Sequence, residues 1–142
     1  MPTEGLLVNQ LSQVISQATA PAFLLGAVAA FISVLIGRLN RIVDRSLTLG
    51  AIDNNDPTKV GGDILRLRRR ARLMSKAIEF AVVAGIFTTL LVIVAFGSAA
   101  LGLTHAYGAA VLFVVALCFF AAALICLWLE IRIAIGGLDG FL

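Results

Sequence analysis

The chain has 142 residues, 61% of them hydrophobic and 13% charged, with a mean hydropathy of +1.04. A soluble domain of this length is about 45–50% apolar and roughly 25% charged, so a water-soluble globular fold is excluded and lipid is the main solvent. The net charge of +3 conceals a very uneven distribution, and two cysteines without metal-ligand or disulfide-framework spacing carry no redox message.

Residues 4–18 open the chain. Leu7, Leu11, Val14 and Ala18 share one helical stripe, while Asn9, Gln10, Ser12, Gln13 and Ser16 lie elsewhere on the wheel. This pattern predicts a short, weakly amphipathic and uncharged helix suited to the outer interface. Thr19 is placed to cap the next helix and Pro21 to sit in its first turn, which predicts a bend near 18–21.

Span one follows as ATAPAFLLGAVAAFISVLIG, with span two as AIEFAVVAGIFTTLLVIVAFGSAALGL and span three as AAVLFVVALCFFAAALICLWL. Each reaches the roughly 20 residues needed to cross about 30 Å of hydrocarbon. The Ala and Leu content and the absence of period-2 alternation favour helices over barrel strands. The region before span one has no Lys or Arg, which argues against a cleaved signal peptide.

Span one does not end where its charges begin. Arg38, Arg41, Asp44 and Arg45 fall on one half of the wheel and Leu35, Leu39, Ile42 and Leu49 on the other, so the helix runs on to about Leu49. Residues 50–62, GAIDNNDPTKVGG, read as a loop. Asp63 can cap a new helix in which Ile64, Leu67, Ala71, Met74 and Ile78 step by three and four, matching Leu35, Leu39, Ile42, Ser46 and Leu49 on the outgoing arm. Two such stripes predict an antiparallel hairpin projecting on the order of 20 Å beyond the membrane. The expected fold is therefore all-α integral membrane, one domain over 1–142. Its parts are the interfacial helix (4–18), span one with its arm (19–49), the loop (50–62), the second arm with span two (63–103), and span three (109–135).

Ten of the eleven Lys and Arg residues lie between Arg38 and Lys76, and none lies before span one or in the THAYG connection. By the positive-inside rule the N-terminus is outside, the hairpin cytoplasmic and the C-terminus inside.

Three constellations could carry function. Arg38, Arg41, Glu79, Glu130 and Arg132 should share a depth at the inner boundary, where carboxylates in apolar surroundings need a partner. Pairing of Glu79 and Glu130 with Arg38 and Arg41 would lock three helices together; free carboxylates would instead line a vestibule for cations. Arg66, Arg68, Arg69, Arg70, Arg72 and Lys76 form a basic stretch suited to anionic lipid headgroups. It has no base-reading or stacking element, so nucleic acid is not expected as a partner. Finally, Ala22, Gly26 and Ala30, then Ala29, Ser33 and Gly37, and in span two Ala77, Ala81, Gly85 and Thr89, form small-residue stripes with steps of four. One neighbour cannot satisfy both stripes of span one, which predicts a homo-oligomer. Ser33, Thr88 and Thr89 are then the candidate pore-lining groups.

Other features read more plainly. Cys118 and Cys126 are small apolar residues, not a metal site. His105 and the DNND run at 53–56 are turn residues, and Tyr107 and Trp128 fit aromatic belts. No nucleophile is paired with a base, and no histidine cluster or phosphate-cradling loop occurs. Neither an enzyme nor a cofactor is expected.

The stretch TAPAFLLGAVAAFISVLIGRLNRIVDRSLTL (19–49), with its Arg-Ile-Val-Asp-Arg core, and RRRARLMSKAIE (68–79) opening span two carry a resemblance. The chain resembles a bacterial family of small three-span membrane proteins whose domain is classed as of unknown function. Ser46, where another polar or basic residue is expected, is the one departure. The resemblance implies membrane topology and a bacterial inner membrane, but no activity or site. The leading functional expectation is a homo-oligomer enclosing an ion pathway. The alternative is a non-conducting scaffold or accessory subunit whose basic hairpin docks anionic lipid or a soluble partner.

Overall fold

The computed structural model describes residues 2–51, 57–103 and 106–139. They form three α-helices: α1 (Pro2–Ala51), α2 (Pro57–Leu101) and α3 (Ala106–Leu138). Helix is the natural outcome for such apolar segments, because only intrahelical bonds satisfy every backbone group where water is absent. Hydroxyls inside the helices follow the same rule. Thr19, Ser33, Thr88 and Thr89 each donate to the carbonyl four residues earlier, at 2.7–3.2 Å.

Two expected boundaries change. α1 runs unbroken through Pro21, so the segment expected as a separate N-terminal helix is continuous with span one. Thr19 bonds back to Ile15 instead of capping, and Pro21, inside the helix, forfeits one hydrogen bond and crowds the carbonyl of Gln17. The expected loop also contracts. Gly50 and Ala51 still belong to α1, and α2 already begins at Pro57, so Asp63 lies inside a helix and caps nothing. Proline suits the first turn, where its missing N–H would have no partner anyway. The DNND run and His105 fall outside the described residues.

At its other end α2 closes on Gly102, whose φ of +66° is open to glycine at no steric cost. Leu103 N–H donates to Ser98 O at 2.9 Å and Gly102 N–H to Ala99 O at 3.4 Å, a paired arrangement that satisfies the last carbonyls.

Successive helices are antiparallel, with α2 between the other two. Val28 lies against Gly85, while Arg45 and Leu49 share a cleft with Asp63 and Leu67. Phe119 of α3 stacks on Phe87 at 5.6 Å and tilts against Phe80 at 6.2 Å. α1 and α3 touch at few points, one of them the edge-on pair Phe31–Phe120 at 5.4 Å. α1 and α2 run on together to Ala51 and Pro57 as an antiparallel hairpin. α3 accompanies it to Leu138, bringing Gly137 beside Arg66.

The buried residues recur every seven positions. On α1 they are Pro21, Val28, Leu35 and Ile42; on α2, Leu67, Met74, Ala81 and Thr88, with Ala77, Ala84 and Leu91 alongside; on α3, Ala116, Ala123 and Glu130. A seven-residue repeat keeps one seam facing its neighbour over many turns. Leu35 and Met74 are the largest apolar side chains without exposure. Leu35→Ala should cost about 2 kcal/mol, at the low end for such truncations because lipid-solvated helices lose packing and little hydrophobic transfer energy. Reversible SDS unfolding in mixed micelles would measure it, and an unchanged midpoint would count against a packed α1–α2 seam.

Candidate functional site

Glu130 is the only charged side chain fully buried among the described residues. It occupies the position seven residues after Ala123, the seam through which α3 meets α2, so its carboxylate is turned into the protein and away from lipid. Arg38 Nη1 donates to Oε2 at 2.7 Å. On the other oxygen, Arg70 Nε donates to Oε1 at 2.8 Å, with Nη2 at 2.7 Å. One carboxylate thus ties together all three helices, and no buried side-chain polar atom among the described residues lacks a partner. Such charge-assisted bonds are the strong kind, and they remove the penalty of an isolated buried charge.

The triad forms one wall of a cleft of about 360 Å³ that also includes Arg41, Ile42, Arg45, Leu67 and Ala134. Four arginines against one carboxylate leave the cleft positive. Both carboxylate oxygens are occupied, so the arrangement offers no free base, nucleophile or cation ligand. No group of three or more His, Cys, Asp or Glu residues that could hold a metal ion occurs among the described residues.

The charge layer grouped from sequence is redistributed. Arg38 and Glu130 come together, and Arg41 lines the same cleft without an ion pair among the described residues. Glu79 does not join them: it is exposed and makes no ion pair among the described residues. It lies nine residues beyond Arg70 on α2, a rise of about 13 Å, and on a different side of that helix. Arg132 is also elsewhere, its guanidinium 4.8 Å from the ring centroid of Trp128, a contact that suits an aromatic belt.

The basic stretch is likewise divided. Arg70, grouped from sequence with the headgroup ligands, is drawn inward by Glu130. Arg69, Arg72 and Lys76 line a separate groove between α2 and α3, Arg66 lies near Gly137, and Arg68 is exposed. Among the candidate pore residues, Thr88 is fully buried and bonded to its own helix, which withdraws it from any outer wall. Ser33 and Thr89 are exposed. The role of Arg70 had a legible signal that steps of three and four do not reveal: Arg70, Ala77, Ala84 and Leu91 form one series of sevens, as do Ala116, Ala123 and Glu130.

All three helices are long and apolar enough to cross a membrane, and only 17%, 22% and 11% of their most apolar windows are buried within the chain. The family model described as protein of unknown function, DUF2721, matches residues 18–139. The chain belongs to the DUF2721 family. The match covers the triad, both basic faces and all three apolar segments, leaving only the N-terminal part of α1 and the last residues outside. No curated protein and no solved structure matches the chain. This DUF2721 chain is thus an all-α, multi-pass membrane protein with a buried three-helix ion triad.

Proposed function

We propose that this DUF2721 protein is a self-assembling, non-conducting scaffold of the bacterial inner membrane, with its N-terminus outside and its C-terminus inside. Its role is structural and not catalytic, and its basic inner end holds anionic lipid. The observation that carries this reading is the closed Arg38–Glu130–Arg70 triad. The carboxylate best placed to draw cations to the inner boundary is already neutralised. Hydroxyls that would line a pathway bond to their own helices. Self-association is supported by α1, whose Ala22, Gly26, Ala30, Ala29, Ser33 and Gly37 are all exposed. The chain's own packing covers neither stripe, which leaves a face suited to close helix contact with another copy. The orientation rests on the concentration of basic residues between Arg38 and Lys76.

A second reading, an ion pathway on the axis of the oligomer, has one observation in its favour. Glu79, Ser33 and Thr89 are exposed on α1 and α2, and such groups in apolar segments normally face protein or water.

Purified protein reconstituted into liposomes separates the two. Cation flux should equal that of empty vesicles, while light scattering of the detergent complex should give a mass several times the 15.0 kDa chain. Gly26→Leu should shift that mass towards the monomer. Sustained flux altered by Glu79→Gln would overturn the scaffold reading in favour of the pore, and a monomer at all concentrations would defeat both.

A further inference from the structure

We infer that the groove between α2 and α3 lined by Arg69, Arg72, Lys76 and Arg132 is a binding site for one anionic phospholipid. This deepens, and rests on, the reading of a basic inner end that holds lipid. It differs in naming a discrete site and in excluding Arg66, Arg68 and Arg70 of the basic stretch from it.

The groove has a volume of about 450 Å³, and its floor is Leu73, Leu129 and Ile133. Its four charged lining residues are all cationic. Glu79, the nearest carboxylate along α2, lies three residues beyond Lys76 and outside the lining. The Arg38–Glu130–Arg70 cleft differs on the same criterion, since its carboxylate already consumes two of its cations. In the groove no cation has an anionic partner among the described residues, and Arg132 rests on the face of Trp128. Four like charges gathered around one hollow repel each other unless an anion joins them.

The apolar floor and the depth select a lipid over a free anion. Arg132 lies two residues past Glu130, at the edge of the apolar part of α3, and Trp128 marks the level where headgroups meet acyl chains. From the floor upward, Leu129, Ile125, Ala122 and Cys118 follow at steps of three and four along one side of α3, with Leu129, Ile125 and Cys118 exposed. A phosphate held by Arg72, Lys76 and Arg132 would lay its acyl chain along that side. A soluble anion would have no use for it.

The test is a titration of the full-length protein in neutral detergent, with binding read by native mass spectrometry and by thermal unfolding. The probes are phosphatidylglycerol, phosphatidylcholine with the same chains, and inorganic phosphate. Phosphatidylglycerol alone should be retained at one per chain and raise the midpoint. The triple variant Arg72→Gln, Lys76→Gln, Arg132→Gln should weaken its binding by about a hundredfold, on the scale of one basic residue near an anionic surface, and Lys76→Gln alone by about fivefold. Arg68→Gln, which removes the same charge four residues from Arg72 but outside the groove, should cost less than about twofold. Equal losses for Lys76→Gln and Arg68→Gln would overturn the discrete site while leaving diffuse lipid attraction intact. No preference of the wild-type protein for phosphatidylglycerol over phosphatidylcholine would remove the site and the lipid-holding reading together. An equal effect of inorganic phosphate would replace the lipid by a free anion.

Discussion

Glu130→Gln should destabilise the protein more than any other single conservative change, by about 3 kcal/mol, although it alters neither size nor shape. The substitution leaves two guanidiniums facing a neutral amide at the junction of three helices. Breaking a buried pair by removing one partner generally costs about 3–5 kcal/mol. The lower figure applies because the Arg38 and Arg70 side chains keep 40% and 25% of their exposure and can turn towards water. Arg38→Met and Arg70→Met should each cost less, since Glu130 retains the other arginine. The triple replacement of Arg38, Arg70 and Glu130 by Met, Met and Leu should recover most of the lost stability, because a desolvated ion cluster often contributes no more than apolar packing of equal volume. SDS titration of all four variants in mixed micelles would complete the comparison. Wild-type stability in Glu130→Gln would show that the triad does not hold the helices together.

The second large effect belongs to Ala123→Leu. Ala116, Ala123 and Glu130 are successive members of one seven-residue series on α3 and have no exposed surface. Ala77, Ala81 and Ala84, equally buried, occupy α2. Small residues on both helices let the backbones approach closely, and in lipid such contact is the main cohesive force. Three added carbons have no hollow to enter, so α3 must move outward. Overpacking typically costs about 1–3 kcal/mol, and this site should fall at the top of that range. Displacement here also draws Glu130, two turns along, away from Arg70, so the penalty should shrink when Glu130→Gln is already present. Ala121→Leu, on the exposed side of α3, is the matched comparison and should change stability by less than about 0.5 kcal/mol. Equal midpoints for the two leucine variants would contradict a close α2–α3 seam.

Both predictions use a pattern that was readable in the sequence but is easily misread. Steps of four collect Ala22, Gly26 and Ala30 into a stripe, yet each such step drifts by about 40° around the helix, so the stripe serves only two or three turns. Steps of seven drift by about 20° and persist through helices as long as α1 and α2. Leu24, Phe31, Arg38 and Arg45 form one such series on α1, and it contains both Phe31, which meets Phe120, and Arg38, which meets Glu130. The four-step stripes of α1 are left on the outside.

The three apolar spans, their lengths and the abrupt concentration of charge after Gly37 were legible without any structure. These follow from the solvent: lipid demands helices of a certain length with few charges, and any short window of sequence displays both properties. The sequence also indicated that a carboxylate near the end of span three would seek an arginine. Arg38 was among the expected partners; the second, Arg70, emerged only from the packing of the helices. Arg41, Arg70 and Arg72 are chemically equivalent in a list, and the choice depends on how far α2 and α3 are rotated about their axes. That rotation is settled by the packing of alanines several turns away. The same rotation turns Arg69, Arg72 and Lys76 towards Arg132 and leaves Glu79, one turn beyond Lys76, exposed and without an ion pair among the described residues. It therefore separates a buried lock from an open basic groove within a single run of arginines.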